Sequence, residues 1–322
     1  MNEVKAPPAV VHDLTTVGEA YVEMWTEGAT LPEATTFTRR ITGSAALIAM
    51  YYAMLGGKSN CVACLGADAL GMFVQNVLRQ HKVGTSGLQF SRDHQTSILF
   101  SARNAGLVQS SYYRLSDWQL HNTKEHVLLA QSSRIVHGSG FLLLKHPARH
   151  SVFEMLRLSK KLESTTTVFQ PHYDPAIWRD RNEAQQTIKK TLQFADILTP
   201  TIEDAENLFG KGTREEYLKH YHDMGSKHVV MSMGKQGALV SDGVKVVRVP
   251  AVEAEMVDPT GAQDAWHAGF YYALNNHKRM PNAVYFANAV AAFVASQVGN
   301  VIPLPAPGEI TQQLLGKAFE DV

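Results

Sequence analysis

Seven consecutive residues near the C-terminal end of the chain have the types and order needed to hold a phosphoryl group. Residues 258–264 read Asp-Pro-Thr-Gly-Ala-Gln-Asp, between Met256-Val257, predicted as a strand end, and an apolar helical stretch. The first N–H groups of a helix have no partner within it and lie at the positive end of its dipole. Here these groups belong to Gly261, Ala262, Gln263 and Asp264. The sequence therefore predicts an anion site, with Asp264 beside it as a general base.

An ordinary helix N-terminus explains the same residues without any bound anion. Asp258 or Thr260 can cap the first turn, and the helix dipole favours an acid such as Asp264 there. The seven residues alone leave both interpretations open.

The elements that must position this segment alternate between strand-like and helical patterns. This alternation is typical of a parallel sheet covered by helices on both faces. Strand-like runs occupy residues 15–23, 61–65, 134–139, 166–170, 197–199, 228–232 and 244–249. Helical patterns occupy residues 43–55, 70–80, 148–162, 183–194, 202–209, 214–224, 263–275 and 283–298.

One region departs from the alternation. Residues 87–114 contain successive strand-like runs separated by polar turns, and residues 20–40 are predicted to pair with them. An antiparallel flap of this kind would cover the carboxyl edge of the sheet, where such folds bind ligands.

Composition limits the classes of function. The 322 residues are 45% hydrophobic and 19% charged, which fits a globular protein, and 30 basic residues balance 30 acidic ones. We therefore expect no nucleic acid partner and no attraction to an anionic membrane. No apolar run has the length of a membrane span, and the first eight residues do not resemble a signal peptide, so we expect a cytoplasmic or organelle-matrix location.

Cys61 and Cys64 are the two cysteines of the chain. Their spacing suggests a redox or metal site, but two ligands do not make a structural zinc site. In a strand, residues three apart face opposite sides of the sheet. We therefore expect two separate reduced thiols.

Several segments, in order along the chain, resemble the ribokinase-like (PfkB) carbohydrate kinases. Residues 258–264 resemble the family's ATP-site sequence Asp-Thr-x-Gly-Ala-Gly-Asp, with Gln263 in place of the second glycine. Further similar segments are Gly18-Glu19, Gly56-Gly57, Gly66-Ala-Asp-Ala-Leu-Gly71 and the Ser232-Met-Gly234-Lys-Gln-Gly237 turn. The resemblance implies one ribokinase-like domain over residues 1–322, a three-layer α/β/α sandwich with a mainly parallel sheet and a small β-lid from about 20–40 and 87–114.

The resemblance also assigns site residues. It implies that ATP and Mg²⁺ bind, with the nucleotide contacted by Ser232, Gly234, Gly237, Asp258, Thr260 and Asn288. The family's Asn-x-x-Glu, which arranges magnesium through water, aligns with Thr201-Ile-Glu203-Asp204. Asp204 keeps the negative charge of the family's glutamate, and Glu203 either compensates for the lost asparagine or is an ordinary acid at a helix N-terminus. Gly43 lies on the sugar-binding helix, and Tyr112-Tyr113-Arg114 resembles the Tyr-Tyr-Arg of 2-keto-3-deoxygluconate kinases, which closes over a sugar acid, with Tyr113 and Arg114 as the candidate contacts. For Tyr113-Arg114, an ordinary lid strand is the alternative.

His137 is a further candidate, because the carboxyl end of a central strand is where doubly wound folds bind ligands. It borders the sugar pocket or is a core histidine. Of Arg39 and Arg40, neighbours on a strand, one at most is expected to face a ligand under the lid.

The departures from the family pattern concentrate at the chemistry. The family's Gly-Gly-x-x-x-Asn is here Thr42-Gly43-Ser-Ala-Ala-Leu47, and its Asp-x-Asn-x-Arg is here Gln170-Pro-His172-Tyr-Asp174. The side chain of Gln263 points either away from the phosphate or into its place, and its backbone costs about 1 kcal/mol if glycine dihedrals are required.

Two functions follow. The first is ATP-dependent phosphorylation of a primary hydroxyl of a sugar or sugar acid, by a protein that resembles fructokinases and 2-keto-3-deoxygluconate kinases and is a possible homodimer through the lid. The second is a catalytically degenerate ribokinase-like protein, acting as a structural or regulatory subunit of a larger assembly.

Overall fold

A computed structural model describes residues 10–104, 106–175 and 177–315 of the chain. The expectation for the first eight residues lies outside these ranges. In the described residues, no helix is both long and apolar enough to cross a membrane.

Two sheets organise these residues. Their strands are β1 (His12–Val17), β2 (Tyr21–Glu27), β3 (Thr38–Thr42), β4 (Ser59–Gly66), β5 (Leu88–Ser91), β6 (Ile98–Asn104), β7 (Leu107–Tyr113), β8 (Ser133–Ser139), β9 (Thr166–Gln170), β10 (Ile197–Leu198), β11 (His228–Ser232), β12 (Ala238–Ser241) and β13 (Val246–Val249). Nine of them form the main sheet in the order β13-β12-β11-β10-β9-β8-β1-β4-β5, and β3-β2-β6-β7 form the second sheet. The pairs within β11–β13 are antiparallel, and the other pairs of the main sheet are parallel.

Helices cover both faces of the main sheet. They are α1 (Ser44–Met54), α2 (Ala69–Gln80), α3 (Lys124–Gln131), α4 (Ala148–Ser159), α5 (Arg181–Leu192), α6 (Ile202–Phe209), α7 (Arg214–Asp223), α8 (Ala262–Asn275), α9 (Met280–Ala295) and the short α10 (Pro307–Ile310). The apolar side chains of α1, α8 and α9 pack on one face, and those of α4 to α7 pack on the other. Strand residues alternate between these two cores because successive side chains of a strand point to opposite faces.

The second sheet is the predicted lid, with different boundaries. Residues 15–23 were expected as one strand, but β1 ends at Val17 in the main sheet and β2 begins at Tyr21 in the lid. The side chains alternate in both, so the pattern does not reveal that the hydrogen-bond partner changes from β4 and β8 to β3 and β6. The first strand of the predicted 87–114 flap, β5, instead pairs with β4 at the edge of the main sheet.

Three further differences concern single elements. The sequence patterns missed α3 and β12. Met256-Val257 is not a strand, because the N–H groups of Val257 and Asp258 donate to the carbonyl of Ala295, at the end of α9, at 2.8 and 3.0 Å. A loop bound to α9, and not a strand of the sheet, therefore leads into α8.

Cys61 and Cys64 are separate buried thiols. Cys61 packs in the core under α1 and α2, and Cys64 packs in the core on the opposite face of β4. Burial raises the pKa of each thiol to about 12, so both are un-ionised at neutral pH. The described residues contain no group of three or more metal-ligating side chains.

Candidate active site

The N-terminus of α8 is set by one glycine. Gly261 is the N-cap, with φ 77° in the left-handed region, and no side chain caps this end of the helix. A Cβ at Gly261 would lie 2.8 Å from the carbonyl oxygen of Asn300 and 3.2 Å from the hydroxyl of Tyr51. Both the backbone conformation and the close approach therefore require glycine at this position.

Of the four backbone N–H groups predicted to form the anion site, one has a partner within the protein. The N–H of Ala262 donates to the carbonyl of Pro259 at 3.1 Å, so it belongs to the turn and is not available to a phosphate. Gln263 and Asp264 lie in the first turn of α8, where backbone N–H groups have no partner within the helix. Because Gln263 is α-helical, its position does not need glycine dihedrals, and the expected backbone cost of the substitution does not arise.

Asp258 organises the loop before this helix. Its Oδ1 accepts from the N–H and hydroxyl of Thr260 at 3.0 and 2.7 Å and from the Arg103 guanidinium at 2.5 Å, and its Oδ2 accepts from the N–H of Gly299 at 3.1 Å. Burial alone would raise the pKa of Asp258, but these hydrogen bonds outweigh it and lower the pKa. Asp258 and Thr260, expected to contact nucleotide, therefore bond to each other and to the lid residue Arg103, which the sequence patterns did not single out.

Asp264 has the properties of a general base. The residue is partly exposed, yet its carboxylate is surrounded by protein. Burial raises its pKa, the charge of His172 and a hydrogen bond from Ser44 oppose that rise, Glu19 adds to it, and the resulting pKa is about 7. A carboxylate with a pKa near 7 can accept a proton at neutral pH more readily than an ordinary aspartate.

A cleft of about 360 Å³ opens on one side of this helix terminus. Four of the residues predicted to contact nucleotide line it, namely Ser232, Gly234, Gly237 and Asn288. Gln263 and Trp266 of α8 also line it, together with Glu203. Asn288 has a structural role as well, because it accepts from the Trp266 indole at 2.8 Å and donates to the Pro250 carbonyl at 2.7 Å.

Asp204, expected near magnesium, has another role. It is buried, and its oxygens accept from the N–H groups of Tyr173 and Thr201 at 2.6 and 2.8 Å, which closes a capping box at the start of α6. Both carboxylate oxygens are therefore in use within the protein. Glu203, one residue earlier, is exposed at the wall of the cleft.

On the other side of Asp264, the end of β1 meets the start of α1. Gly43 is the N-cap of α1 and lies against the carbonyl of Glu19. The Glu19 carboxylate is 1% exposed, and its Oε1 accepts from the N–H of Ser44 at 3.0 Å. Ser44, the first residue of α1 after the predicted residue Gly43, and Glu19 both influence the pKa of the candidate base Asp264.

The lid residues predicted to contact the sugar need correction. Tyr113 is 56% exposed and packs against Phe100, and Tyr112, its neighbour on β7, packs against Phe141 on the opposite face. Arg114 is bound by the buried Asp117 and donates to the Phe141 carbonyl at 2.9 Å. Its guanidinium is thus occupied within the protein, and Tyr112 and Tyr113 lie on opposite faces of β7.

Arg39 and Arg40 separate as expected. Arg40 lies over the Trp25 ring and 3.4 Å from Glu23, whereas Arg39 lies over Phe73 of α2. Arg40 therefore shares the lid face that carries Glu23.

His137 is a core histidine. It is fully buried, and its Nδ1 hydrogen-bonds with the hydroxyl of Tyr271 of α8 at 2.7 Å. Burial lowers its pKa well below the usual value, so it is neutral. Its neighbour His267 donates from Nδ1 to the Gln263 carbonyl at 2.9 Å, and its Nε2 therefore accepts from the Thr199 hydroxyl at 3.0 Å. These residues hold α8 from below and do not line the cleft.

The sequence and the fold of the chain are similar to those of known proteins. Residues 11–307 match the family described as pfkB family carbohydrate kinase. The chain is 32% identical over 295 residues to the ATP-dependent 6-phosphofructokinase of Thermoanaerobacterium thermosaccharolyticum, covering 91% of each chain. It is 26% identical to the 5-dehydro-2-deoxygluconokinase of Bacillus subtilis, covering 97% of each chain. The solved structure of Halothermothrix orenii fructokinase has a TM-score of 0.77 and 26% identity, covering 89% of this chain and 100% of that one.

The geometry at Gly261 leads to a testable prediction about stability. Gly261→Ala should lower the free energy of unfolding by about 2 kcal/mol or more, because the left-handed backbone costs a residue with a Cβ about 1–2 kcal/mol and the new Cβ also crowds Asn300. Gly28→Ala is the matched control, since Gly28 has φ 81° and no heavy atom within 4 Å of its Cβ position. Urea denaturation measures both. Equal losses would contradict a close approach at Gly261.

Proposed function

The chain belongs to the pfkB family of carbohydrate kinases, and on that premise we propose that Asp264 is the base for transfer of the ATP γ-phosphoryl group to a sugar hydroxyl. The expected ribokinase-like fold, with its lid, is confirmed. The observation that carries the proposal is the position of Asp264. It lies in the first turn of α8, next to the cleft-lining Gln263, with a pKa of about 7.

The nucleotide is proposed to bind in the cleft lined by Ser232, Gly234, Gly237 and Asn288. Phosphates at its inner end would meet the N-terminus of α8, where Gly261, Gln263 and Asp264 present backbone N–H groups. These groups favour charge that develops on the transferring oxygens. The side chain of Gln263 lines the same cleft and can donate to a phosphate.

Asp264 is proposed to accept the proton of the attacking hydroxyl. That hydroxyl would come from the side of Gly43 and Glu19, opposite the nucleotide cleft. The reaction class fixes the balance of atoms: the acceptor oxygen bonds to the γ-phosphorus as the bond to the β-phosphate oxygen breaks, giving ADP and a sugar phosphate.

Magnesium is proposed as the metal. The donor set fits, because Mg²⁺ usually keeps several waters and binds through one or two carboxylates together with substrate phosphates. Glu203 offers an exposed carboxylate at the cleft wall, whereas the oxygens of Asp204 are occupied. When bound, the metal would neutralise charge on the phosphates.

The acceptor is proposed to be a sugar or sugar acid phosphorylated at a primary hydroxyl. The relatives are a 6-phosphofructokinase, a 5-dehydro-2-deoxygluconokinase and a fructokinase. The panel for this chain is therefore fructose, fructose 6-phosphate and 5-dehydro-2-deoxygluconate. The catalytically degenerate alternative has no support in these comparisons. Residues 1–322 are proposed to form one domain in the cytoplasm.

A first prediction tests the base directly. Asp264→Asn should lower kcat by about 100- to 10,000-fold, because the amide cannot accept the proton, while affinity for ATP changes little. A coupled assay of ADP release across the panel, with ATP and Mg²⁺, measures the rate, and calorimetry measures the affinity. Asp93→Asn, at an exposed turn, is the matched control and should keep full activity. Wild-type inactivity on the whole panel, or full activity of Asp264→Asn, would contradict the proposal.

A second prediction concerns pH. The base works in its deprotonated form, which predominates above the Asp264 pKa of about 7. The rate should therefore level off above pH 7 and fall about tenfold per pH unit below it, when kcat/KM is measured from pH 5.5 to 9. The residual rate of Asp264→Asn should lack this fall. A wild-type rate that stays constant from pH 5.5 to 8 would argue against Asp264.

A third prediction concerns a homodimer formed through the lid. The edge strand β7 exposes Leu107, Val108 and Tyr113, and exposed apolar edge strands favour pairing with another chain. Sedimentation should give the mass of two chains, and Val108→Glu should give that of one. Leu128→Glu, at an exposed apolar position of α3, is the control and should remain dimeric. A wild-type mass of one chain would disprove the dimer, and a mass above two chains would indicate a larger assembly.

A further inference from the structure

His172 has a backbone conformation that residues with a Cβ seldom adopt. It lies two residues beyond β9 with φ 44°, in the left-handed region. Just before it, the carbonyl of Pro171 passes so close to Gly140 that no Cβ would fit on Gly140. Strained residues of this kind persist where the surrounding structure holds them, and they cluster at functional sites.

The turn directs the imidazole towards the acceptor side of the proposed active site. The ring packs on Phe141, with centroids 4.8 Å apart and planes tilted by 38°. Its side chain is 34% exposed, and its Nδ1 lies 4.0 Å from Oε1 of the buried Glu19. A positive charge on the ring would lower the pKa of the proposed base Asp264.

Two polar atoms at this place have no hydrogen-bond partner within the described residues. They are Nδ1 of His172 and Oε2 of Glu19, and both are buried. Buried polar groups are almost always paired, and an unpaired one costs free energy that a ligand or water can recover. The distance of 4.0 Å is too long for a direct hydrogen bond between His172 and Glu19.

A hydroxyl group can bridge the two side chains. Its oxygen can lie about 2.8 Å from Nδ1 of His172 and the same distance from Oε1 of Glu19, which also accepts from Ser44, since two such contacts can span a gap of 4.0 Å. The hydroxyl would donate to the carboxylate and accept from the imidazole N–H. A carboxylate group of a ligand would be repelled by Glu19 at the same point.

We propose that His172 is a specificity-determining residue that, together with Glu19, binds a hydroxyl of the acceptor sugar other than the one that is phosphorylated. The proposal rests on the proposed function, because it takes the acceptor to bind beside Asp264. It concerns a position where this chain departs from the family pattern, since His172 stands where the resemblance would place an asparagine.

Steady-state kinetics of His172→Asn and His172→Ala test the proposal. Asparagine tolerates the left-handed backbone better than most residues, so His172→Asn is expected to fold, and thermal melting checks this. With the panel acceptor that has the highest kcat/KM, both variants should raise KM by about tenfold, as for one lost hydrogen bond, with kcat changed less than about twofold. His150→Asn, at an exposed position of α4, is the control and should behave as wild type.

Monodeoxy analogues of that acceptor identify the hydroxyl. One analogue should bind wild type about tenfold more weakly than the parent sugar does. The same analogue should bind wild type and His172→Asn equally, because the deoxy change and the substitution remove the same hydrogen bond. An unchanged KM, or the same ratio between wild type and variant for every analogue, would overturn the proposal and leave the kinase function intact.

Failure of the proposed function gives a different result. If wild type phosphorylates no panel acceptor, calorimetric titration of the same sugars without ATP decides the inference about His172 separately. Weaker binding to His172→Ala than to wild type would support it. Equal binding to both proteins, or no binding of any sugar, would overturn it.

Discussion

The Asp258 carboxylate fixes the geometry on which the rest of the active site depends. It accepts hydrogen bonds from Thr260 and Gly299 and forms an ion pair with Arg103. One buried carboxylate therefore connects the loop before α8, the segment after α9 and the lid. Gly261 can then enter its left-handed conformation, and the first turn of α8 begins at one defined place. Because backbone N–H groups make the anion site, a shift of this turn would move the whole site. The sequence suggests that the Asp258 carboxylate contacts the nucleotide. In the structure it instead supports the backbone N–H groups that are proposed to bind the nucleotide's phosphates.

A second support lies below α8. His267 connects the carbonyl of Gln263 to the hydroxyl of Thr199, and Tyr271 connects the same helix to His137 in the sheet. Burial lowers the pKa of His267 to about 4 and that of His137 well below its usual value, so both rings stay neutral. They therefore add hydrogen bonds without adding positive charge that would lower the pKa of Asp264. A charged pair at this depth would ionise Asp264 more fully and weaken it as a base.

The sequence predicts the layers of the fold better than it predicts which face of a sheet each side chain points to. Alternating strand and helix patterns suffice for the main sheet because buried parallel strands are apolar throughout. They fail where a strand changes sheets, as between Val17 and Tyr21, because the alternation continues unbroken. In the site, Ser232 and Gly234 follow from turn spacing, which is local. The sequence cannot decide which of Tyr112 and Tyr113 faces the main sheet, because one residue of register reverses the face, and register depends on the pairing of β7 with β6. Arg103 meets Asp258 across 155 positions of sequence, and no local pattern indicates such a contact.

Buried polar groups without partners and strained backbone lower the stability of a fold, and such features can indicate residues that serve function. The amide of Gln170 and Nε2 of His137 are buried without a partner in the described residues, and His172 has a strained backbone. Each of these features lowers the free energy of unfolding. An apolar side chain would remove the cost of the two unpaired polar groups, and glycine would remove the strain at position 172. All three belong to β8, β9 or the turn after β9, whereas the hydroxyl of Tyr221, also buried without a partner in the described residues, lies in the core on the face of α4 to α7. A protein that retained only a structural role would gain stability by losing them. Their place in the carboxyl halves of β8 and β9 and in the turn after β9, where folds of this type bind ligands, therefore favours a working acceptor site, in which His172 is proposed to select the acceptor.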